Sequence, residues 1–126
     1  MAVVDSSAIL AVLNRETGAE FIISRLRGSF VSAVNLQEVA KKMLEAGSTK
    51  DAIQAAIDRL GVQILPHYAE DAMLAASIAS ATRKFGRGFG DRSCMALAIR
   101  LGVPAITTDR TWAEINVSGL EVILAR

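Results

Sequence analysis

Four carboxylates, Asp5, Glu38, Asp91 and Asp109, stand at or just past the ends of apolar segments. Asp5 ends the opening Met1-Ala2-Val3-Val4, and Glu38 lies shortly after Phe30-Val31. Asp91 follows a glycine-rich loop, and Asp109 closes Pro104-Ala105-Ile106-Thr107-Thr108. A carboxylate beside a core needs a reason. If the fold brings the four together, mutual repulsion raises their pKa values and costs stability unless a cation intervenes. A hard, oxygen-seeking ion such as Mg²⁺ or Mn²⁺ matches such a donor set. His67 and Cys94 are the only histidine and cysteine, and one of each without spacing partners argues against zinc.

Each acid also has a reading with no chemistry in it. Asp5 and Asp91 can cap the helices that begin at Ser6 and Arg92. Asn35-Leu36-Gln37-Glu38 fits a capping box in which Glu38 reaches back to the Asn35 amide. Asp109 can stabilise the turn before Trp112. Convergence of all four on one edge is what the capping readings leave unexplained.

The elements that must position these acids follow from the hydrophobic pattern. Short β-branched runs predict strands at 2–5, 30–33, 62–65, 104–107 and 121–125. Leu36, Val39, Ala40, Met43 and Leu44 recur with helical spacing, as do Ile53, Ala56, Ile57 and Leu60 after Ser48-Thr49-Lys50-Asp51, which resembles a capping box. An alanine-rich helical segment runs from Tyr68 to Lys84, and the stripe Cys94, Leu97, Ala98, Leu101 ends at Gly102 and Pro104. Residues 6–14 and 18–27 make two more helices. Strands alternating with helices predict a three-layer α/β/α sandwich on a mostly parallel five-stranded sheet, a single domain over residues 1–126. In such sheets a site lies beyond the carboxyl ends of the strands, where strand order reverses, and Asp5 and Asp109 both occupy strand ends.

At 126 residues, 52% hydrophobic and 21% charged, the chain is long enough for a real core and too apolar for disorder. Its longest apolar runs fall short of a membrane span, and the apolar start lacks the preceding basic region of a signal peptide. The lone Cys94 fits a cytoplasmic setting. A net charge of +1 does not advertise nucleic-acid binding by the molecule as a whole. Arg83, Lys84, Arg87 and Arg92 nevertheless form a local basic patch beside Asp91, able to hold a phosphate backbone or simply to be solvated.

Several chemistries of related folds are excluded. A haloacid dehalogenase-type enzyme wants a second aspartate where Ser7 stands. A response-regulator receiver wants an acceptor aspartate at the end of the third strand, where Ile64-Leu65-Pro66-His67 offers none, and a late lysine, absent after Lys84. Gly86, Gly88 and Gly90 follow a helix with the wrong spacing for a dinucleotide fingerprint, and no Walker A sequence is present. The Phe85–Gly90 stretch reads as a mobile connection flanking the site. His67 reads as a surface loop residue and Cys94 as core.

Four segments in order, Val4-Asp5-Ser6-Ser7, Ser32-Ala33-Val34-Asn35-Leu36-Gln37-Glu38, Gly90-Asp91-Arg92-Ser93-Cys94-Met95-Ala96-Leu97-Ala98 and Thr107-Thr108-Asp109-Arg110-Thr111-Trp112, resemble the PIN domain, and within it the VapC-type toxin ribonucleases of toxin–antitoxin pairs. The resemblance implies strand order 3-2-1-4-5 and a metal-binding cluster of Asp5, Glu38, Asp91 and Asp109, with Ser7 and Thr107 as small polar residues supporting the acids. Where some relatives carry a further acid after the last aspartate, Arg110, Thr111 and Trp112 stand here. The implied function is Mg²⁺- or Mn²⁺-dependent hydrolysis of RNA. Asp5, Asp91 and Asp109 are expected as ligands, Glu38 as a ligand or the residue orienting water, and Arg87 and Arg92 as phosphate contacts. Arg110 is a candidate to pair with a site carboxylate. The resemblance further implies a homodimer and a cognate antitoxin lying beside the first helices, where Ala8–Leu13 and Phe21–Leu26 are apolar enough for an interface, although core packing explains them equally. An inactive PIN-like binding module, and a phosphatase or DNA-directed nuclease using the same acids, stay open at this point.

Overall fold

The computed structural model describes residues 1–126. Its strands are β1 (Val3–Val4), β2 (Phe30–Ser32), β3 (Gln63–Leu65), β4 (Ala105–Thr107) and β5 (Val122–Leu124). They form one sheet in the order β3-β2-β1-β4-β5, and every pairing is parallel. Parallel neighbours need crossovers, which the helices supply: α1 (Ser6–Leu13) and α2 (Ala19–Leu26) after β1, α3 (Ala33–Glu45) and α4 (Lys50–Leu60) after β2, α5 (Ala69–Ser77) and α6 (Phe89–Leu101) after β3. A 3₁₀ turn, Arg110–Glu114, follows β4.

Alternation along the strands divides the core. Val4, Val31 and Ile106 join Ala8, Ile9, Ile22, Val39, Ile53 and Ile57 on the face covered by α1 to α4. Val3 and Ala105 point the other way, to Cys94, Met95, Leu97 and Trp112 under α6 and the 3₁₀ turn. Strand order reverses at β1, flanked by β2 and β4. The crevice beyond the carboxyl ends of β1 and β4 is therefore the switch point of the sheet.

Two boundaries differ from expectation. The alanine-rich helix stops at Ser77, and the chain turns through residues 78–84 so that the buried Thr82 hydroxyl donates to the Ile78 carbonyl at 2.8 Å. The next helix starts at Phe89 rather than Arg92, so Phe89 and Gly90 are helical and not part of a mobile loop. The Ser48–Asp51 signal is realised by Thr49, whose hydroxyl accepts from the Ala52 N–H at 3.1 Å.

Sequence periodicity does not announce the tie between α5 and α6. Arg100 donates to both carboxylate oxygens of Asp71, which is 1% exposed, and lies 5.5 Å from the Tyr68 ring. The Tyr68 N–H also donates to Asp71, at 3.0 Å. Burial opposes ionisation of Asp71, but these donors and the Arg100 charge hold its pKa below the usual carboxylate value.

Candidate active site

Asp5 leaves the end of β1 in extended conformation, with its N–H still in the ladder to the Ile106 carbonyl at 2.9 Å. It precedes α1, yet its side chain makes no capping bond. The carboxylate turns instead to two hydroxyls: Ser7 donates to Oδ2 at 2.7 Å and Thr107 at 3.0 Å. Those hydroxyls also accept from the backbone after β4, Ser7 from the Thr108 N–H at 3.2 Å and Thr107 from the Asp109 N–H at 3.1 Å. The ends of β1 and β4 are thus tied together through Asp5. At 4% exposure, burial pushes the Asp5 carboxyl up to about 6; the charges of Asp91 and Glu38 add to this, while the hydroxyls oppose it.

Glu38 lies in the second turn of α3, whose N-cap is Ser32, accepting from the Val34 N–H at 3.2 Å. The Asn35 capping box is therefore not formed. Glu38 Oε1 accepts instead from the Ser6 hydroxyl and from the Asn35 side-chain amide, the latter at 3.0 Å. A methyl group at Gly90 would overlap the Glu38 carboxylate, which is why α6 must present bare backbone there. Asp91 sits in the first turn of α6 and is not its N-cap; its Oδ2 accepts from the Gly88 N–H at 3.2 Å. Burial raises the Asp91 pKa, and the charges of Glu38 and Asp109 raise it further. Asp109 does stabilise its turn, Oδ1 accepting from the N–H and hydroxyl of Thr111 at 3.0 and 2.6 Å.

A pattern emerges from these bonds. Each of the four carboxylates gives one oxygen to protein donors: Asp5 Oδ2, Glu38 Oε1, Asp91 Oδ2 and Asp109 Oδ1. Asp5 Oδ1, Glu38 Oε2, Asp91 Oδ1 and Asp109 Oδ2 have no protein partner. The committed oxygens fix orientation, and the remaining ones make a set of hard donors whose charges reach one another at the switch point. That donor set suits a hard divalent cation. The side chains do not form a closed cage: no three Asp, Glu, His or Cys side chains converge closely enough to enclose an ion as they stand. Glu38 is oriented by Ser6 and Asn35, and Asp109 by Thr111.

The surroundings separate the predicted contacts. Arg83, Lys84 and Arg87 are exposed on the chain leading into α6. Arg92 is half-buried and turned away from solvent, Nε donating to the Thr82 hydroxyl at 2.8 Å and Nη2 reaching the Ala79 carbonyl at 3.4 Å. Arg110 is exposed and makes no ion pair; the salt bridges are Arg100–Asp71 and Arg126–Glu16. His67 is exposed and Cys94 fully buried, its thiol pKa raised by burial.

Two features escaped the sequence reading. Phe89, 90% exposed, opens α6 and is a wall of two clefts, one of 420 Å³ with Glu38 and Lys41, the other of 160 Å³ with His67, Ala72, Ala76 and Arg92. Asn35 is fully buried. The helical period held its signal: Asn35 precedes the core residue Val39 by four positions and so had to face inward.

The apolar faces of α1 and α2 are shared between two uses. Ala8, Ile9, Ala11, Ile22 and Leu26 pack in the core, whereas Phe21 and Ile23 remain exposed. Beside them a surface hollow of 670 Å³ runs along Val12, Glu16 and Gly18.

The sequence of residues 2–117 matches the PIN domain family, and the chain belongs to that family. No curated protein matches it. Among solved structures it is similar to a toxin–antitoxin complex from Klebsiella pneumoniae, at 13% identity and a TM-score of 0.79 over 100% of this chain and 98% of the other. VapBC2 from Rickettsia felis, bound to a promoter DNA fragment, gives 14% identity and 0.73 over 98% and 97%. VapBC-5 from Mycobacterium tuberculosis gives 21% and 0.61, again over 98% and 97%. At these identities the likeness is one of fold.

Proposed function

We propose that this PIN domain is a divalent-cation-dependent endoribonuclease and the toxin of a toxin–antitoxin pair. The observation that carries the reading is the set of four carboxylates at the switch point, each with one oxygen committed and one free. Asp5, Asp91 and Asp109 would hold Mg²⁺ or Mn²⁺, with Glu38 as a further ligand or as the group that orients the attacking water. The cation supplies Lewis acidity, acidifying water and offsetting charge on the scissile phosphate. Ser7 and Thr107 keep Asp5 aimed and ionised, because donors to a carboxylate favour its charged form.

On the substrate side, Arg87 offers an exposed cation to the phosphate backbone, while Arg92 has Nε and one Nη2 hydrogen engaged within the protein. Phe89 offers an aromatic face beside Glu38, suited to stacking on an unpaired base. An antitoxin partner is supported by the toxin–antitoxin complexes of the same fold. The exposed Phe21 and Ile23 beside the α1–α2 hollow are apolar surface available to such a partner or to a second copy in a homodimer.

The test is cleavage of labelled structured RNA and matched single-stranded DNA with Mg²⁺, Mn²⁺ or EDTA, with Asp91→Asn controlling for contaminating nuclease. Metal-dependent RNA cleavage lost in the variant is expected. A second reading, a catalytically inactive PIN-like binding module, draws on the absence of a closed cage. It predicts no cleavage of a broad RNA panel and no Mn²⁺ binding by calorimetry. Cleavage of the DNA in preference to RNA would instead make the domain a DNA-directed nuclease.

A further inference from the structure

Asn35 stands where the segments carrying Asp5, Glu38 and Asp91 meet. Its Nδ2 lies 3.0 Å from each of three acceptors: Ser6 Oγ, Glu38 Oε1 and the carbonyl oxygen of Gly90. Ser6 follows Asp5, and Gly90 precedes Asp91. A side-chain amide has two N–H groups, so three acceptors saturate it and one hydrogen is shared. The opposite orientation of the amide would set its oxygen against a carboxylate and a backbone carbonyl. The neighbours therefore fix which end points where.

The other end is left unserved. Asn35 Oδ1 is buried without a hydrogen-bond partner. Buried polar atoms are almost always paired, and an apolar side chain of the same shape avoids the desolvation cost altogether. Packing alone does not account for an asparagine here. What the amide does is clamp Glu38 and the first turn of α6 to one point, at a place where Gly90 lets the two elements approach as closely as backbone allows.

We infer that Asn35 is a positioning residue: it fixes the Glu38 carboxylate and the Gly90 carbonyl, and so sets the spacing between Glu38 and Asp91. The inference rests on the proposed hydrolytic role of the four acids. It acts through Glu38, and that makes it separable from a general role in folding.

The experiment compares wild type, Asn35→Ala, Glu38→Gln and the double variant by RNA cleavage and by Mn²⁺ calorimetry, with thermal melts alongside. Outer-shell partners of metal ligands typically change affinity or activity by about 10–100-fold. Asn35→Ala is expected to lower kcat and weaken Mn²⁺ binding within that range while KM for RNA stays constant. In the Glu38→Gln background the same substitution should add little, because the residues act as a unit. Equal losses in both backgrounds, or a loss confined to KM, would overturn the inference. Asn35→Leu keeps the branched outline of the side chain and removes both its donors and its acceptor, so it decides the matter if the alanine variant does not fold. If wild type cleaves no RNA, the Mn²⁺ isotherms decide independently: weaker binding in the Asn35 variants than in wild type supports the positioning role, unchanged binding overturns it, and a wild type that binds no Mn²⁺ overturns the cation site and the inference with it.

Discussion

Asp5 shows how one side chain carries opposing demands. Its carboxylate is buried among like charges, so its pKa in the folded protein, about 6, lies above the ordinary 3.8. A raised acid favours folding of its protonated form. Its contribution is greatest below pH 3.8 and is lost as pH rises through 6, where folding must bury a charge. The metal-free protein should therefore lose stability between about pH 4 and 6 from this residue. Asp5→Asn should remove that loss and stabilise the metal-free protein at pH 7 by roughly 1–3 kcal/mol, checked by denaturant melts at pH 4.5 and 7. Wild type should recover the difference when Mn²⁺ is added, and the variant should not. Gly90→Ala is a complementary case, since its methyl overlaps the Glu38 seat and should weaken Mn²⁺ binding even though alanine is the better helix former. Calorimetry checks this directly. Of the residue-scale features, the acids were legible in the sequence because carboxylates beside apolar runs are conspicuous. Asn35 was not, because the helix-start signal Asn-x-x-Glu competed with its true place inside the first turn of α3, after the N-cap Ser32.

At the scale of elements, the strands were legible to within a residue or two, since β-branched runs between breakers leave few alternatives. Helix ends were harder. Gly88 and Gly90 read as loop, yet Gly90 is in α6, at a position where Glu38 leaves no room for a side chain. Likewise the alanine run continues past Ser77, but the backbone turns to bring Thr82 to Arg92. The α5–α6 tie was invisible because Asp71 and Arg100 are far apart in sequence. Arg100→Leu should leave Asp71 buried and unpaired and destabilise the fold by about 2 kcal/mol or more, without changing Mn²⁺ affinity. Urea melts and calorimetry on the same sample separate these outcomes. Phe89, fixed at the first position of α6, carries a functional expectation instead. Phe89→Ala should raise KM for single-stranded RNA roughly tenfold, the value of one stacked base, leaving Mn²⁺ affinity and stability unchanged.

For the molecule as a whole, topology does most of the assembly. The order β3-β2-β1-β4-β5 makes β1 and β4 neighbours and brings residues distant in sequence, Asp5 and Thr107, within hydrogen-bonding distance. The hydrophobic pattern predicted a parallel sheet, and the strand order followed from the resemblance to PIN domains rather than from periodicity. With a net charge of +1, the affinity for RNA proposed here would have to come from a local patch. Replacing Arg83, Lys84 and Arg87 together by alanine should flatten the dependence of RNA affinity on salt by about two units of slope, at roughly 0.7 per phosphate contact. Binding measured across a salt series checks it.

Asp5, Glu38, Asp91 and Asp109 are proposed to form one cation site. Mn²⁺ titration calorimetry on wild type and Asp91→Asn, at pH 5 and pH 7, tests it most directly. Saturable binding to wild type is expected, tighter at pH 7 than at pH 5 because Asp5 must ionise first, and lost in the variant. Absence of binding to wild type, or binding that Asp91→Asn leaves unchanged, would contradict it.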